Sequence, residues 1–398
     1  MNKLNQALQA YKQQRQASSL WRERARYDAV PLCYNFSSND YLALSRDPAV
    51  IAAFQQGLEQ WGTGSGGSPL TTGYQAPHRA LEEQLCDWLG FESALLFSSG
   101  YAANQGTLQA LGKLGITPLL DRLSHASLYA GALQALPAHK PLLRFKHNDM
   151  AHLRQQLASL NSDAAAVIVS EGLFSMDGDN GPFDQLIGLK QQQLQAGIDT
   201  LLLIDDAHGL GSQGIAGQGS LSQAQRQQVD LFSATFSKAL GCQGAFVGGN
   251  KSWIEYLVQT AGEYIYSTAM PAAQACAVLA AIQLVREQTA ADSLQQRLAN
   301  HIQQFRALAE QHGLHFMPST SAIQPLVVGR AERALYLSQG LQQQGFTCVA
   351  IRPPTVAQGQ ARLRFTVTLH QTPQSMARLF QALASLMSQG TAMGGSAT

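Results

Sequence analysis

The sequence carries almost no net charge: 27 lysines and arginines stand against 26 aspartates and glutamates, leaving +1 with histidine neutral. Such a balance gives no field to attract nucleic acid or an anionic membrane surface. Long apolar runs are also missing, and none reaches the roughly 18–20 residues that cross a bilayer. The stretch Met1-Asn2-Lys3-Leu4-Asn5-Gln6-Ala7-Leu8 is polar and lacks the apolar centre of a signal peptide. Cysteine is scarce, and Cys33, Cys86, Cys242, Cys276 and Cys348 show no C-x-x-C spacing. Reduced thiols are expected, rather than disulfides or metal ligands. There is no internal repeat. A soluble cytoplasmic protein with no nucleic-acid or membrane partner follows.

What is present is hydrophobic bulk. With 45% hydrophobic and 13% charged residues over 398 positions, the chain can bury a large core. Four segments are expected: an N-terminal helical segment over 1–44, a large α/β domain over 45–286, a small α+β domain over 287–388, and a disordered tail over 389–398. The first opens with Leu4, Leu8 and Tyr11 at helical spacing, followed by the basic residues Arg22, Arg24 and Arg26, whose default reading is a solvated face. In the third, Asp292 can cap a helix carrying Leu294, Leu298, Ile302, Phe305 and Leu308 on one face, with Gly313 ending it. Strands are expected over 323–328, 346–351 and 361–369. The last alternates Ala361, Leu363, Phe365, Val367 and Leu369 with Arg362, Arg364, Thr366 and Thr368, as a half-buried antiparallel strand does.

Three apolar runs of the large domain end in reactive groups. They are Ala164-Ala165-Ala166-Val167-Ile168-Val169-Ser170-Glu171, then Thr200-Leu201-Leu202-Leu203-Ile204-Asp205-Asp206, and then residues 230–235. Continuous apolar runs separated by helical stretches read as parallel strands joined by crossovers. Glu171, Asp205 and Lys238 lie at or just past the run ends, 34 and 33 residues apart. Open α/β sheets bind ligands beyond the carboxyl ends of their strands. Burial there would disfavour the ammonium form of Lys238 and free its amine to attack a carbonyl, as a Schiff base to pyridoxal phosphate requires. A solvated surface lysine is the competing reading.

Asp205-Asp206-Ala207-His208-Gly209 closes the second run. A carboxylate at a strand end can pair with a protonated pyridine nitrogen, and His208 can bond a ring oxygen. Alternatively, Asp205 caps a turn and His208 is a satisfied core histidine. A metal site lacks further ligands at sensible spacing. Thr235 can donate to a phosphate. Ser98-Ser99-Gly100-Tyr101-Ala102-Ala103-Asn104 reads as a glycine turn opening a helix, with free N–H groups for an anion, or as an ordinary helix start. Trp61-Gly62-Thr63-Gly64-Ser65-Gly66-Gly67-Ser68 follows no apolar strand, so a dinucleotide fingerprint is rejected in favour of a flexible or close-packed loop. His125, in Asp121-Arg122-Leu123-Ser124-His125-Ala126-Ser127-Leu128, can stack on a flat ring or simply pack. Ser175 follows the first run into the same crevice. Arg364 can bind a carboxylate bidentately or be a surface arginine.

Together these motifs resemble the α-oxoamine synthase family of fold-type I pyridoxal-phosphate enzymes, over residues 35–369. Further residues carry the resemblance: Asn35-Phe36-Ser37-Ser38-Asn39-Asp40-Tyr41-Leu42, Tyr266-Ser267-Thr268-Ala269-Met270-Pro271, Ser321-Ala322-Ile323-Gln324-Pro325-Leu326, Ile351-Arg352-Pro353-Pro354-Thr355-Val356 and Ala361-Arg362-Leu363-Arg364. The resemblance implies an α/β fold-type I transferase, whose large domain has a mostly parallel central sheet flanked by helices, with a smaller α+β C-terminal domain. It implies that Lys238 carries the cofactor and later removes a proton, that Asp205 holds the pyridinium, that His208 meets the ring oxygen and that His125 stacks on the ring. Gly100, Tyr101, Ser175 and Thr235 would help hold the cofactor. Ser267 and Thr268 would reach a phosphate in a neighbouring subunit of a homodimer. Arg364 would bind the amino-acid carboxylate, with Asn39, Arg22, Thr355 and His125 as substrate contacts.

The groups containing Thr355 and Arg364 favour, within the family, the use of L-alanine with a pimeloyl thioester on CoA or acyl carrier protein. A sister activity with glycine and a short acyl-CoA is the alternative. Two positions depart from the family pattern. Ala43 stands where glycine is usual, and Lys238-Ala239-Leu240-Gly241-Cys242-Gln243-Gly244 replaces Lys-Ala-Phe-Gly-Val-Ser-Gly.

Overall fold

The computed structural model describes residues 2–24, 26, 30–137, 139–160, 165–287 and 292–393. The chain divides into two compact units. One comprises Asn39–Ser175 and Asp179–Leu298, and the other Met1–Ser38, Met176–Gly178 and Ala299–Thr398. The N-terminal segment thus groups with the C-terminal one, and the division at 298/299 falls inside a helix, where a change of sequence texture leaves no mark.

The larger unit is built on seven strands: β1 Ser93–Phe97, β2 Thr117–Asp121, β3 Leu143–Phe145, β4 Ala166–Glu171, β5 Thr200–Asp205, β6 Leu231–Thr235 and β7 Ala245–Gly249, in the order β1-β7-β6-β5-β4-β2-β3. Strands β3, β2, β4, β5 and β6 pair in parallel, while β7 runs antiparallel to both β6 and β1. Every residue of β4, β6 and β7 is buried. Their unbroken apolar runs follow from this, since both faces of the sheet are covered. Leu120, Val167, Val169, Leu203, Leu231 and Val247 join Leu108 and Leu111 of the helix Gly100–Lys113 in one core. Each such side chain contributes about 1.5–3 kcal/mol by leaving water. Pairing brings Glu171 opposite Asp205 and Asp205 opposite Ser233. Three expected strand ends therefore lie side by side, with Lys238 just past β6. Ala164, the expected start of the first run, lies outside the described residues.

The smaller unit carries β8 Ile323–Gly329, β9 Val349–Ile351 and β10 Ala361–Thr366, antiparallel in the order β8-β10-β9. The expected direction is right, but half-burial is not. Arg362 is 4% exposed, and Thr366 and Thr368 are fully buried. As the central strand, β10 has neighbours on both sides, and Arg362 is satisfied by Asp177 at 2.5 Å and the Met176 carbonyl at 3.1 Å. β9 is shorter than expected because Phe346 turns into an aromatic cluster with Tyr34 and Phe36, and Thr347 bridges Asn35.

Other boundaries move as well. The N-terminal helix spans only Lys3–Ala17, since Ser19 adopts φ 55° and Arg15 donates to the Leu20 carbonyl. Leu4, Leu8 and Tyr11 stay exposed on it. Ser293, not Asp292, caps the helix Leu294–Gln311, accepting from the Gln296 N–H. The last helix, Pro373–Met393, runs through 389–393, where a tail was expected. Residues 394–398 lie outside the described residues.

Ala43 explains one departure from the family pattern. It sits at φ 60°, ψ 21°, a left-handed conformation in which a Cβ costs roughly 1–2 kcal/mol. Its N–H bonds the Asp40 carbonyl, and the Asp40 carboxylate holds the N–H and hydroxyl of Ser45. The turn so made lies against the loop after β6. A Cβ on Gly241 (φ 63°) would fall 2.2 Å from the Ser45 nitrogen, so that position admits only glycine. Ala43→Gly is expected to stabilise the protein by about 0.5–1 kcal/mol, the relieved strain exceeding the added unfolded-state freedom. The check is the urea midpoint at unchanged slope, and a lower midpoint would refute strain at this turn.

Candidate active site

Lys238 is half-buried beyond β6. Its Nζ lies 2.7 Å from His208 Nε2, and the other ring nitrogen of His208 lies 2.6 Å from the Tyr41 hydroxyl. Tyr41 in turn reaches Asn39 Oδ1 at 3.3 Å. The spacing of Asp205, His208 and Lys238 thus does converge on one place, and Asn39 is joined to it through Tyr41.

Asp205 is 6% exposed at the end of β5. One carboxylate oxygen accepts from the Ala207 N–H at 3.0 Å and the other from the Asn104 amide at 2.6 Å. Asn104 is the hub of this network. It also donates to Ser127 Oγ at 2.9 Å and accepts from the Ser233 hydroxyl at 2.6 Å. Ser127 lies 2.8 Å from His125 Nδ1, and its N–H donates to the same nitrogen. A nitrogen that accepts an N–H is unprotonated, so His125 presents a neutral ring with its proton on Nε2. Burial lowers the His125 pKa; Asp205 opposes this and Lys238 reinforces it. A buried donor–acceptor chain of this kind fixes ring and carboxylate orientation together.

Glu171, opposite Asp205, accepts from the His125 N–H at 2.5 Å. Burial holds its carboxyl well above the usual range, and Asp205 pushes it the same way, while the His125 N–H and Lys238 oppose. Burial and the neighbouring Asp205 thus both disfavour a second negative charge at this point.

Gly100 opens the helix Gly100–Lys113 against Thr235. A Cβ there would touch the Thr235 Cβ at 3.4 Å. Ser99 caps this helix, accepting from the Ala102 N–H at 3.2 Å. The N-terminal N–H groups form a cradle suited to a phosphate, while the Thr235 hydroxyl beside them donates to the Gly244 carbonyl at 2.9 Å. Tyr101 is 47% exposed and meets His125 edge-on at 6.4 Å. Ser175 lies in the turn after β4. Ser267 and Thr268 line a cleft with Tyr74, His78, Glu82 and Ser98. In the smaller unit, Arg22 Nη2 donates to Thr355 Oγ1 at 3.1 Å, across 333 positions of sequence, and Arg364 lies on β10 opposite Pro325 and Val349. Among the glycines of residues 61–68 only Gly67 is closely packed, where a Cβ would meet Thr72 Oγ1 at 2.6 Å; one on Gly62, Gly64 or Gly66 would meet nothing within 4 Å.

A strand-end carboxylate, a neutral imidazole, a lysine on a histidine and a helix-start cradle together match the polar groups of pyridoxal phosphate. Sequence reasoning missed Asn104, Ser127, Ser233 and Tyr41. An asparagine inside a helix, four residues past the glycine that opens it, was the available signal for Asn104.

Two supports stand behind the site. His147 is held between Asp121 at 3.0 Å and Asp179 at 2.9 Å. Asp121 also accepts from the Leu123 N–H on the way to His125, and Asp179 closes the turn after β4 by accepting from the Phe174 N–H through its carbonyl. Asp206 is fully buried, its carboxyl raised to about 7 by burial while bonds from the Ser220 N–H and hydroxyl lower it. Gly172, Gly209 and Gly219 surround it, and a Cβ on any of them would lie 2.0–2.1 Å from a carboxylate oxygen. Burial depresses the His147 pKa, but its bonds to the two carboxylates outweigh this and raise it to about 10. Its folded value therefore exceeds its unfolded value of about 6.5, so its stabilisation is complete below about pH 6.5 and is lost as pH rises towards 10. The difference in Tm between the protein and His147→Gln is expected to be widest near pH 6 and to close near pH 10. A difference constant over that range would refute the charged clamp.

The Aminotransferase class I and II family matches residues 32–383. The 8-amino-7-oxononanoate synthase of Cronobacter sakazakii (strain ATCC BAA-894) is 46% identical over 351 residues, covering 88% of each chain. That of Yersinia pestis (strain Pestoides F) is 48% identical over 351 residues, again covering 88% of each. Among solved structures, the S. paucimobilis serine palmitoyltransferase with a bound PLP–myriocin aldimine superposes with a TM-score of 0.87 at 26% identity, over 99% of this chain and 100% of that one. The fold is that of the fold-type I pyridoxal-phosphate transferases, and pyridoxal phosphate is the cofactor. The chain belongs to the class I and II aminotransferase family of pyridoxal-phosphate enzymes and groups there with the 8-amino-7-oxononanoate synthases.

Proposed function

We propose that the chain condenses L-alanine with a pimeloyl thioester, on CoA or acyl carrier protein, with loss of carbon dioxide, as a step of biotin synthesis. The observation that carries this reading is the Lys238–His208 contact of 2.7 Å beside the Asn104-fixed carboxylate of Asp205. Pyridoxal phosphate, when bound, supplies the electron sink that makes the α-proton of an amino acid acidic. Lys238 would hold the cofactor at rest and serve as the base for that proton. Asp205 would pair with the ring nitrogen, His208 would bond the ring oxygen and His125 would pack on the ring. Thr235, Gly100, Tyr101 and Ser175 hold the cofactor from its rim. Arg364 takes the alanine carboxylate as a bidentate pair, and Asn39 contacts substrate. Ser267 and Thr268 serve the phosphate across the interface of a cytoplasmic homodimer.

The acyl preference rests on the smaller unit. Arg22 is exposed and bonded to Thr355. Arg352 is depressed first by burial and then by the charges of Arg22 and Arg15. Three crowded guanidiniums are relieved by an incoming carboxylate, which a pimeloyl chain carries at its far end and an acetyl group does not. This favours the alanine–pimeloyl reading over the glycine-using alternative.

Lys238→Ala is expected to lower turnover of alanine with pimeloyl-CoA at least about a thousandfold. Full turnover in that variant would sink the mechanism, and a clear preference for glycine over alanine in a spectral binding titration would sink the substrate assignment. Arg22→Ala is expected to raise KM for pimeloyl-CoA about tenfold or more, with KM for alanine unchanged. Heptanoyl-CoA, which lacks the distal carboxylate, serves as control: an equal rise for both thioesters would remove Arg22 from carboxylate recognition.

A further inference from the structure

We infer that Tyr41 is a positioning residue for His208 and, through it, sets where the proton rests between His208 and Lys238. The inference builds on the proposed role of Lys238 as the base.

Tyr41 is fully buried and His208 is 5% exposed. Their rings are 6.1 Å apart and tilted by 39°, so the hydroxyl, not the ring face, makes the 2.6 Å contact with Nδ1. Both nitrogens of His208 are thus engaged, Nδ1 by Tyr41 and Nε2 by Lys238. A phenol has one proton to give, and an imidazole with one proton has one donor and one acceptor nitrogen. Two arrangements satisfy the chain. In one, Tyr41 donates to Asn39 Oδ1, His208 Nδ1–H donates to Tyr41, and bare Nε2 accepts from Lys238. In the other, Tyr41 donates to Nδ1 and Nε2–H donates to the lone pair of a neutral Lys238 amine. Only with the Tyr41 hydroxyl turned to Nδ1 must the lysine be neutral, because an ammonium has no lone pair to accept Nε2–H, whereas either form can donate to a bare Nε2. Removing that hydroxyl leaves a buried imidazole nitrogen without its partner, at a cost that depends on the tautomer.

The surroundings hold Tyr41 in place for this. Its turn is closed by the left-handed Ala43 and by the Asp40–Ser45 bonds, and it lies against Gly241 in the lysine loop. Among the described residues, His125 and Glu171 also sense the charge of Lys238, with Asp205 acting on both and Asp40 acting on Cys242 of the lysine loop.

Tyr41→Phe removes the hydroxyl and keeps the ring. In the cofactor-free protein labelled with 15N-histidine, His208 is expected to show one fixed tautomer with Tyr41 present and a redistributed or averaged one in the Tyr41→Phe variant. In the holoenzyme, the pH midpoint of the cofactor's visible absorbance is expected to move by at least about half a unit. The rate constant kcat should fall on the order of tenfold, with KM for alanine changed less than about threefold. Unchanged histidine shifts together with an unchanged midpoint would overturn the inference, whatever the activity. Should Tyr41→Phe fold poorly, 3-fluorotyrosine at position 41 retains the shape while making the phenol more acidic, and is expected to move the same midpoint; no movement overturns the inference. If histidine shifts and midpoint move while alanine and pimeloyl-CoA give no turnover, the substrate assignment fails and the positioning role stands.

Discussion

The larger unit depends on how the carboxylate of Asp205 is held. It ends a strand buried in the centre of a seven-stranded sheet, where water cannot solvate it freely. An acidic group there costs several kcal/mol unless hydrogen bonds replace the lost water. The Asn104 amide and the Ala207 N–H supply them. Burial and Asp205 both push the carboxyl of Glu171, the acid beside it, upward. Because Asn104 also holds Ser127 and Ser233, the orientation of His125 is set by the group that sets Asp205. One amide from a helix interior thus orients the Asp205 carboxylate and the His125 ring together.

Around this centre, loops are fixed by charge rather than by apolar contact. His147 bridges the approach to His125 and the turn that follows Glu171, while Asp206 gathers the loop after β5. Strand ends alone place Glu171 and Asp205, but the residues that must meet a ligand lie on loops, and loops move more than the sheet beneath them. Charged, buried hydrogen bonds narrow that freedom.

Much of this was legible in the sequence. Glu171, Asp205 and Lys238 betray themselves by a repeat of about one βαβ unit, because parallel strands force their carboxyl ends to one edge. Gly100 and Thr235 are legible as a helix start and a strand end. Asn104 and Tyr41 were not, because their contacts join residues 101 and 167 positions apart and no local pattern reports such a pairing. The Arg22–Thr355 bond, spanning 333 positions, was reached only by resemblance. β10 misled for a different reason. Alternation announces one wet face, yet Arg362 and Thr366 are buried as well, because the strand is central and Arg362 finds Asp177.

The glycine cage of Asp206 has a consequence for how this chain can vary. Gly172 and Gly209 are not demanded by an unusual backbone; they are demanded by volume, because the carboxylate occupies the space a methyl group would need. Three positions far apart in the sequence therefore share a single constraint, owned by a fourth. While the aspartate stays, none of the three can drift; a smaller residue there would ease only Gly172, because a Cβ on Gly209 also meets Ser220 Oγ at 2.1 Å and Gly219 keeps φ 99°. The second acid of the Asp-Asp pair thus acts as a lock on sequence change, a role separate from that of Asp205 beside it.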